Sequence, residues 1–125
     1  MADYTPVYPA GILPFTATTS ASVTGGQMLA VSGDGTVAPA GAASDKVIGV
    51  AAHDAASGAL VTVIPLAGVV HEFVAGSGGV TAGDIVKVGA AANAVVEIDT
   101  GTYDQRVGLV LTTAAATAKV KVLGR

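Results

Sequence analysis

The sequence predicts an all-β protein: a small barrel or sandwich built from two repeated β units and preceded by an extended N-terminal arm. Three observations carry that expectation. Short runs rich in Val, Ile and Leu alternate with Gly-, Asn- and Asp-containing turns along most of the chain. No window shows a capped apolar period of 3.6 residues, so helix is limited to one or two short turns. Two segments also recur at nearly constant spacing, the mark of a duplicated supersecondary unit.

The arm comes first. "YTPVYPAGILPF" (4–15) holds Tyr4, Tyr8 and Phe15, three of the five aromatic residues, and Pro6, Pro9 and Pro14, three of the five prolines. Proline fixes its own φ and pushes the preceding residue toward extended backbone, so the segment reads as a semi-rigid ribbon. From that ribbon Tyr4, Val7, Tyr8, Ile12, Leu13 and Phe15 can make apolar contacts at low ordering cost, either over the protein's own thin core, on a neighbouring subunit, or on a different protein. The polar, small-residue stretch "TATTSASVTGG" then connects to the body. Residues 1–22 are assigned to arm and linker, and 23–125 to a β domain.

Within that domain, strands are expected at 27–31, 46–51, 60–66, 68–74, 84–88, 94–98, 106–112 and 118–123, with turns at 32–36, 55–58, 75–79 and 99–105. "VTGGQMLAV" from Val23 aligns with "VTAGDIVKV" from Val80. "VIGVAAHDAASGALVTVIPLAG" from Val47 aligns with "RVGLVLTTAAATAKVKVLGR" from Arg106. The offsets are 57 and 59 positions, which gives repeat halves of about 23–68 and 80–125. Two such short units cannot each bury a hydrophobic face alone, so they are expected to pack together. After residue 15 only Phe73 and Tyr103 are bulky, so the core is thin. The run "GALVTVIPLAGVV" has more apolar positions than one sheet face covers, which points to a homo-oligomer.

Composition narrows the function. At 51% hydrophobic residues and a mean hydropathy of +0.66, the chain is not of the disordered class. A net charge of −3 with scattered Lys and Arg gives no basic run to displace counterions, so nucleic acid is not expected as a partner. The sequence has no cysteine, which removes thiolate chemistry, Cys-based zinc sites and disulfides. "MADYTPVYPAG" lacks the pattern of a signal peptide. The longest apolar stretch, ending at Val70, is broken by Gly58, Pro65 and Gly68, so no membrane span is expected.

Catalytic equipment is sparse, and no enzyme activity, cofactor or metal is expected. His53 stands beside Asp54 in "AAHDAASG", a turn, where a solvated His–Asp pair is the ordinary outcome. His71 in "VVHEFV" alternates with Val69 and Phe73, and too few other soft ligands exist to complete a metal site. His71 therefore reads as a satisfied core or subunit-interface histidine, and Val69, His71 and Phe73 form a candidate subunit interface. "GSGG" (76–79) lacks the helix start of a phosphate cradle, and "SGDGT" lacks the spaced acids of a calcium loop. "GGQ" (25–27) stands where the repeat has "AGD", so it reads as a turn before a strand. Lys46 in "SDKVIG" is weighed as the modified lysine of a lipoyl- or biotinyl-type carrier, but the repeat puts it at a strand start rather than a hairpin tip.

The aromatic, Pro-containing start, "VTGGQMLAVSGDGTVAPA", "VIGVAAHDAASGALVTVIPLAGVVHEF", "GGVTAGDIVKVGAAANAVV" and "RVGLVLTTAAATAKVKVLGR" together resemble the small Ala/Gly/Val-rich head decoration proteins of tailed bacteriophages. The resemblance covers essentially the whole chain and rests on composition and pattern. It implies a β-rich, trimeric structural protein, made in the host cytoplasm, on the outer surface of the virion head. There it would stabilise the capsid by bridging major capsid protein subunits. It also implies that Tyr4, Pro6, Val7, Tyr8, Pro9, Ile12, Leu13, Pro14 and Phe15 form a capsid-binding arm. The alternative is a carbohydrate- or surface-binding β module displayed on a virion. Sugar sites usually need exposed aromatics beside convergent polar groups, and the body offers few.

Overall fold

A computed structural model describes residues 13–125. It contains ten strands: β1 (Phe15–Thr19), β2 (Met28–Gly33), β3 (Thr36–Pro39), β4 (Val47–Ala51), β5 (Leu60–Pro65), β6 (Val70–Ala75), β7 (Ile85–Val88), β8 (Ala94–Glu97), β9 (Gly108–Val110) and β10 (Lys119–Gly124). One 3-10 turn, Tyr103–Gln105, is the helical content among the described residues. Strands β1–β5 close into one barrel in the order β1-β3-β2-β4-β5. Strands β6–β10 close into a second with the same cyclic order. Closure pairs every strand on both sides, which removes the edges that a five-stranded open sheet would leave exposed.

The duplication extends to the register of matching pairs, although β2 carries bulges after Leu29 and Val31 that β7 does not. Phe15 pairs with Val63 as His71 pairs with Val122, and Thr19 pairs with Val37 as Ala75 pairs with Val95. Gly49 sits opposite Pro65 as Gly108 sits opposite Gly124. The central glycines of β4 and β9 answer one constraint: a Cβ on Gly49 would lie 2.4 Å from the Ile64 carbonyl oxygen, and one on Gly108 would lie 2.4 Å from that of Leu123. Only glycine lets these backbones approach so closely. Isolated bridges Val23–Ala55 and Val80–Ala114 hold the turn before β2 and its counterpart before β7.

Period-two alternation builds the interior. In β10, Val120 and Val122 are buried while Lys119 and Lys121 face out, and in β6 His71, Phe73 and Ala75 point inward. Of the twelve largest fully buried side chains nine are valine, so the barrels are filled by small β-branched residues and are correspondingly narrow. Barrel 1 has its own cluster around Leu29, Val37, Val61 and Val63. The larger cluster spans both barrels, joining Met28, Val47, Val50 and Leu66 of barrel 1 to the interior of barrel 2.

Two strands escaped the sequence reading. β1 straddles the expected arm, which ends at Phe15, and the polar connection that starts "TATT", yet Thr19 is 2% exposed and its hydroxyl donates to the Ala56 carbonyl at 2.7 Å. Threonine suits extended backbone, and a bonded hydroxyl can be buried. β3 was hidden by its brevity and by Pro39, at its last residue, where a missing N–H costs the ladder least. The boundary of arm and linker is corrected accordingly. Residues 15–19 are barrel, and each half begins one strand earlier than the repeat alignment suggested, at Phe15 and Val70.

Candidate functional site

Of the arm residues, Tyr4, Pro6, Val7, Tyr8, Pro9 and Ile12 lie outside the described residues. Leu13 is 50% exposed and Pro14 is also exposed, just ahead of β1. Phe15 is the first residue of β1, its backbone paired with Val63, which takes it out of the arm and into barrel 1. Its ring helps line a cavity of about 250 Å³ at one end of that barrel, shared with Val31, Gly35, Val37 and Ile48.

The three residues taken as a subunit interface divide. His71 and Phe73 are 8% and 2% exposed, inside the chain's own core, and only Val69, half-buried, reaches the surface. The reason is alternation: β6 aims His71 and Phe73 into barrel 2, where the two rings stack at 5.7 Å. The Nε2 of His71 donates to the Pro65 carbonyl at 2.9 Å, a bond from the interior of barrel 2 to the last residue of β5. A histidine so bonded is a satisfied core residue that ties the barrels together.

His53 and Asp54 are turn-formers. The Thr62 N–H donates to Nε2 of His53 at 3.2 Å, which leaves Nδ1 to carry the proton and donate to the Asp54 carbonyl at 2.9 Å. The Asp54 carboxylate accepts from the Gly25 N–H at 2.8 Å. Barrel 2 makes the same two bonds with hydroxyls: Lys121 N–H to Thr112 Oγ1 at 3.1 Å and Ala82 N–H to Thr113 Oγ1 at 3.0 Å. The equivalence gives the His–Asp pair a structural role that two threonines fill equally well. Gln27 and Asp84 match in the same way, accepting from the Thr24 and Thr81 N–H groups at 2.8 and 2.9 Å. "GGQ" and "AGD" are therefore the same capped turn.

Among the described residues no group of three or more His, Asp or Glu is arranged to hold a metal ion. Lys46 is exposed at the end of the β3–β4 connection and lines a 540 Å³ cleft with Val31, Asp45 and Arg125. The single ion pair among the described residues, Lys119 to Glu72 at 3.5 Å, lies on the surface, where such pairs contribute little.

Sequence reasoning missed a set of apolar residues on the outside of barrel 2. Ile85, Leu109, Leu123 and Val70 are successive cross-strand neighbours on β7, β9, β10 and β6. Val70 is 52% and Leu123 38% exposed, while Ile85 and Leu109 are half-buried. The signal was present as apolar residues at both alternating positions of β7 and β9, which a strand with one solvated face does not need.

The described residues form two closed barrels in tandem. The family model for phage cement proteins matches residues 7–125, and the chain belongs to that family. It is a structural protein of the phage capsid, a component of the virion. No curated protein matches the chain. Among solved structures it is similar to the N base of the head fiber gp8.5 of bacteriophage phi29. The two share 24% sequence identity and a TM-score of 0.65, over 92% of this chain and 95% of that one. That likeness establishes the tandem-barrel fold.

Proposed function

We propose that this protein is a non-enzymatic cement on the outer surface of the head, where it bridges neighbouring major capsid protein subunits as a homotrimer. The observation that carries the proposal is the extent of the family match, which begins at Val7, inside the Pro- and aromatic-rich segment. The segment therefore belongs to the unit that the family shares, and it is not an appendage to it.

In this reading the rigid barrels act as the platform and residues 4–14 as the gripping element. A ribbon pre-extended by Pro6, Pro9 and Pro14 gives up little entropy on docking and can add to an exposed strand edge of the capsid protein. Tyr4, Val7, Tyr8, Ile12 and Leu13 supply the apolar contacts. Three arms on one body act at high effective concentration, so each can be individually weak and the assembly still hold. The ordinary structural roles of His53, Asp54 and His71 support a function without catalysis.

Co-sedimentation with heads that lack the protein tests this. The full-length chain is expected to bind saturably, and a variant lacking residues 2–14 is expected to remain folded and stay in the supernatant. Equal binding by both would overturn the role of the arm. Failure of the folded full-length protein to bind would overturn the cement role itself.

A further inference from the structure

The two surfaces that meet at the joint between the barrels each occur a second time, uncovered among the described residues. On barrel 1, Met28 pairs with Val50, and the Ala40 N–H donates to the Met28 carbonyl at 2.9 Å. These residues and Leu66 are between 0% and 6% exposed, because they pack on one end of barrel 2. There the Ala92 carbonyl accepts from the Met28 N–H at 2.8 Å and the Val88 carbonyl accepts from the Ala43 N–H at 3.0 Å. Barrel 1 thus presents an outer patch and barrel 2 receives it at a mouth.

Both surfaces exist a second time. The patch recurs on barrel 2, where Ile85 pairs with Leu109 and the Ile98 N–H donates to the Ile85 carbonyl at 2.9 Å. Here the three residues are only half-buried. The mouth recurs on barrel 1, where Val31 stands in the register position of Val88. Val88 is 1% exposed and Val31 is 45% exposed, beside the 250 Å³ cavity. Among the described residues, one chain therefore carries a used patch on a used mouth, together with an uncovered patch and an uncovered mouth of the same construction.

We infer that the free patch of barrel 2 (Ile85, Ile98, Leu109) seats on the free mouth of barrel 1 (Val31, Ile48) of a second copy, continuing the internal joint from chain to chain. The inference rests on the oligomer in the proposed function and names its contact. Charge fits it. Where the internal patch has Val47 and Leu66, the free patch has Arg106 and Arg125; where the used mouth has the uncharged turn "GAAAN" (89–93), the free mouth has Asp34 in "SGDG". Such a contact is heterologous, patch to mouth, and builds a ring when its rotation closes. Both free surfaces border the cleft lined by Val31, Asp45 and Arg125, so successive copies turn instead of running straight.

The absence of cysteine makes the test clean. Val31→Cys and Ile85→Cys chains, one carrying an affinity tag, are coexpressed and treated with a short bis-maleimide, beside each variant alone and the mass of the unmodified protein by light scattering. A mixed cross-linked pair from coexpression, with none from either variant alone, is the expected result. A multimeric mass with no mixed pair, or with cross-linking of one variant to itself, overturns the patch-to-mouth contact while leaving the oligomer standing. A single-chain mass at every concentration overturns both. Leu109→Cys with Thr36→Cys provides a second pair on the same two surfaces should either first variant fold poorly by circular dichroism.

Discussion

Barrel 1 and barrel 2 have the same strand order, the same register at matching pairs and the same close approach at Gly49 and Gly108, yet positions that match in the ladder differ in burial. Met28 is wholly buried where Ile85 is half-exposed, and Val31 is 45% exposed where Val88 is 1%. Interiors differ too. The pair Phe15 and Ala17 in β1 becomes His71 and Phe73 in β6, so the large ring moves one inward position along the strand. The repeat conserves what the backbone needs to close and lets side chains follow what each barrel touches. Residues that match between halves report on barrel closure, and residues that differ report on the joint.

The most severe way to test the shared part is to add side chains at the two central glycines. Gly49→Val and Gly108→Val each force atoms against a backbone carbonyl that cannot move without opening the hairpin. Each is expected to cost about 3–5 kcal/mol, enough to unfold a large share of molecules of ordinary stability. Denaturant midpoints at low protein concentration would check this. Tolerance of one substitution and not the other would break the equivalence of the barrels at its strongest point.

The differing part predicts a smaller and unequal effect. Met28→Ala removes a fully buried side chain from the joint and is expected to cost about 2–4 kcal/mol, whereas Ile85→Ala at the matching position is expected to cost about 1 kcal/mol in the separated chain. Equal losses in dilute solution would mean that the barrel 2 patch is covered within the protomer. If the patch is an interface between copies, the cost of Ile85→Ala grows with protein concentration, since association adds to apparent stability by mass action.

Thr19 falls between these classes. Its hydroxyl is buried and donates to Ala56, where barrel 2 has the plain methyl of Ala75 at the same register. Thr19→Val keeps the shape and removes one of two donors to the Ala56 carbonyl, which keeps the Ala59 N–H at 3.1 Å, with an expected loss of about 0.5–1.5 kcal/mol by thermal or chemical unfolding. No loss would show that the Ala59 N–H alone satisfies the Ala56 carbonyl.

What was legible in the sequence divides along the same line. The all-β class, eight of the ten strands and the offsets of the repeat could be read because Val, Ile and Leu recur at period two beside glycine turns. β1 could not, since its inward positions include Ala17 and Thr19, whose burial depends on partners distant in sequence, and β3 could not, since it is four residues long and ends in Pro39. Closure of barrel 1 is equally hidden in the sequence, because it depends on the pairings of β1 with β5 and β3, whose residues are far apart in the chain. The interface assignment failed for His71 and Phe73 because apolar alternation marks a buried face without saying whether the chain itself or another copy buries it. Ile85 and Leu109 became visible as a surface only once Met28 and Val50 were seen covered.

The smallest expected effect is the sharpest use of the comparison. His53 and Asp54 take the places of Thr112 and Thr113, and each pair accepts the same two backbone N–H bonds. Replacing both at once, His53→Thr with Asp54→Thr, gives barrel 1 the turn that barrel 2 already uses. Stability is then expected to change by less than about 0.5–1 kcal/mol, because hydroxyl acceptors stand where imidazole and carboxylate acceptors stood. Asp54→Ala alone leaves the Gly25 N–H to solvent and is expected to cost about 1 kcal/mol, comparable to losing a helix cap. Head binding by the double variant is the informative readout. Unchanged binding with unchanged stability keeps His53 and Asp54 as turn-formers, whereas lost binding in a protein that melts normally would move this turn onto the surface that meets the capsid.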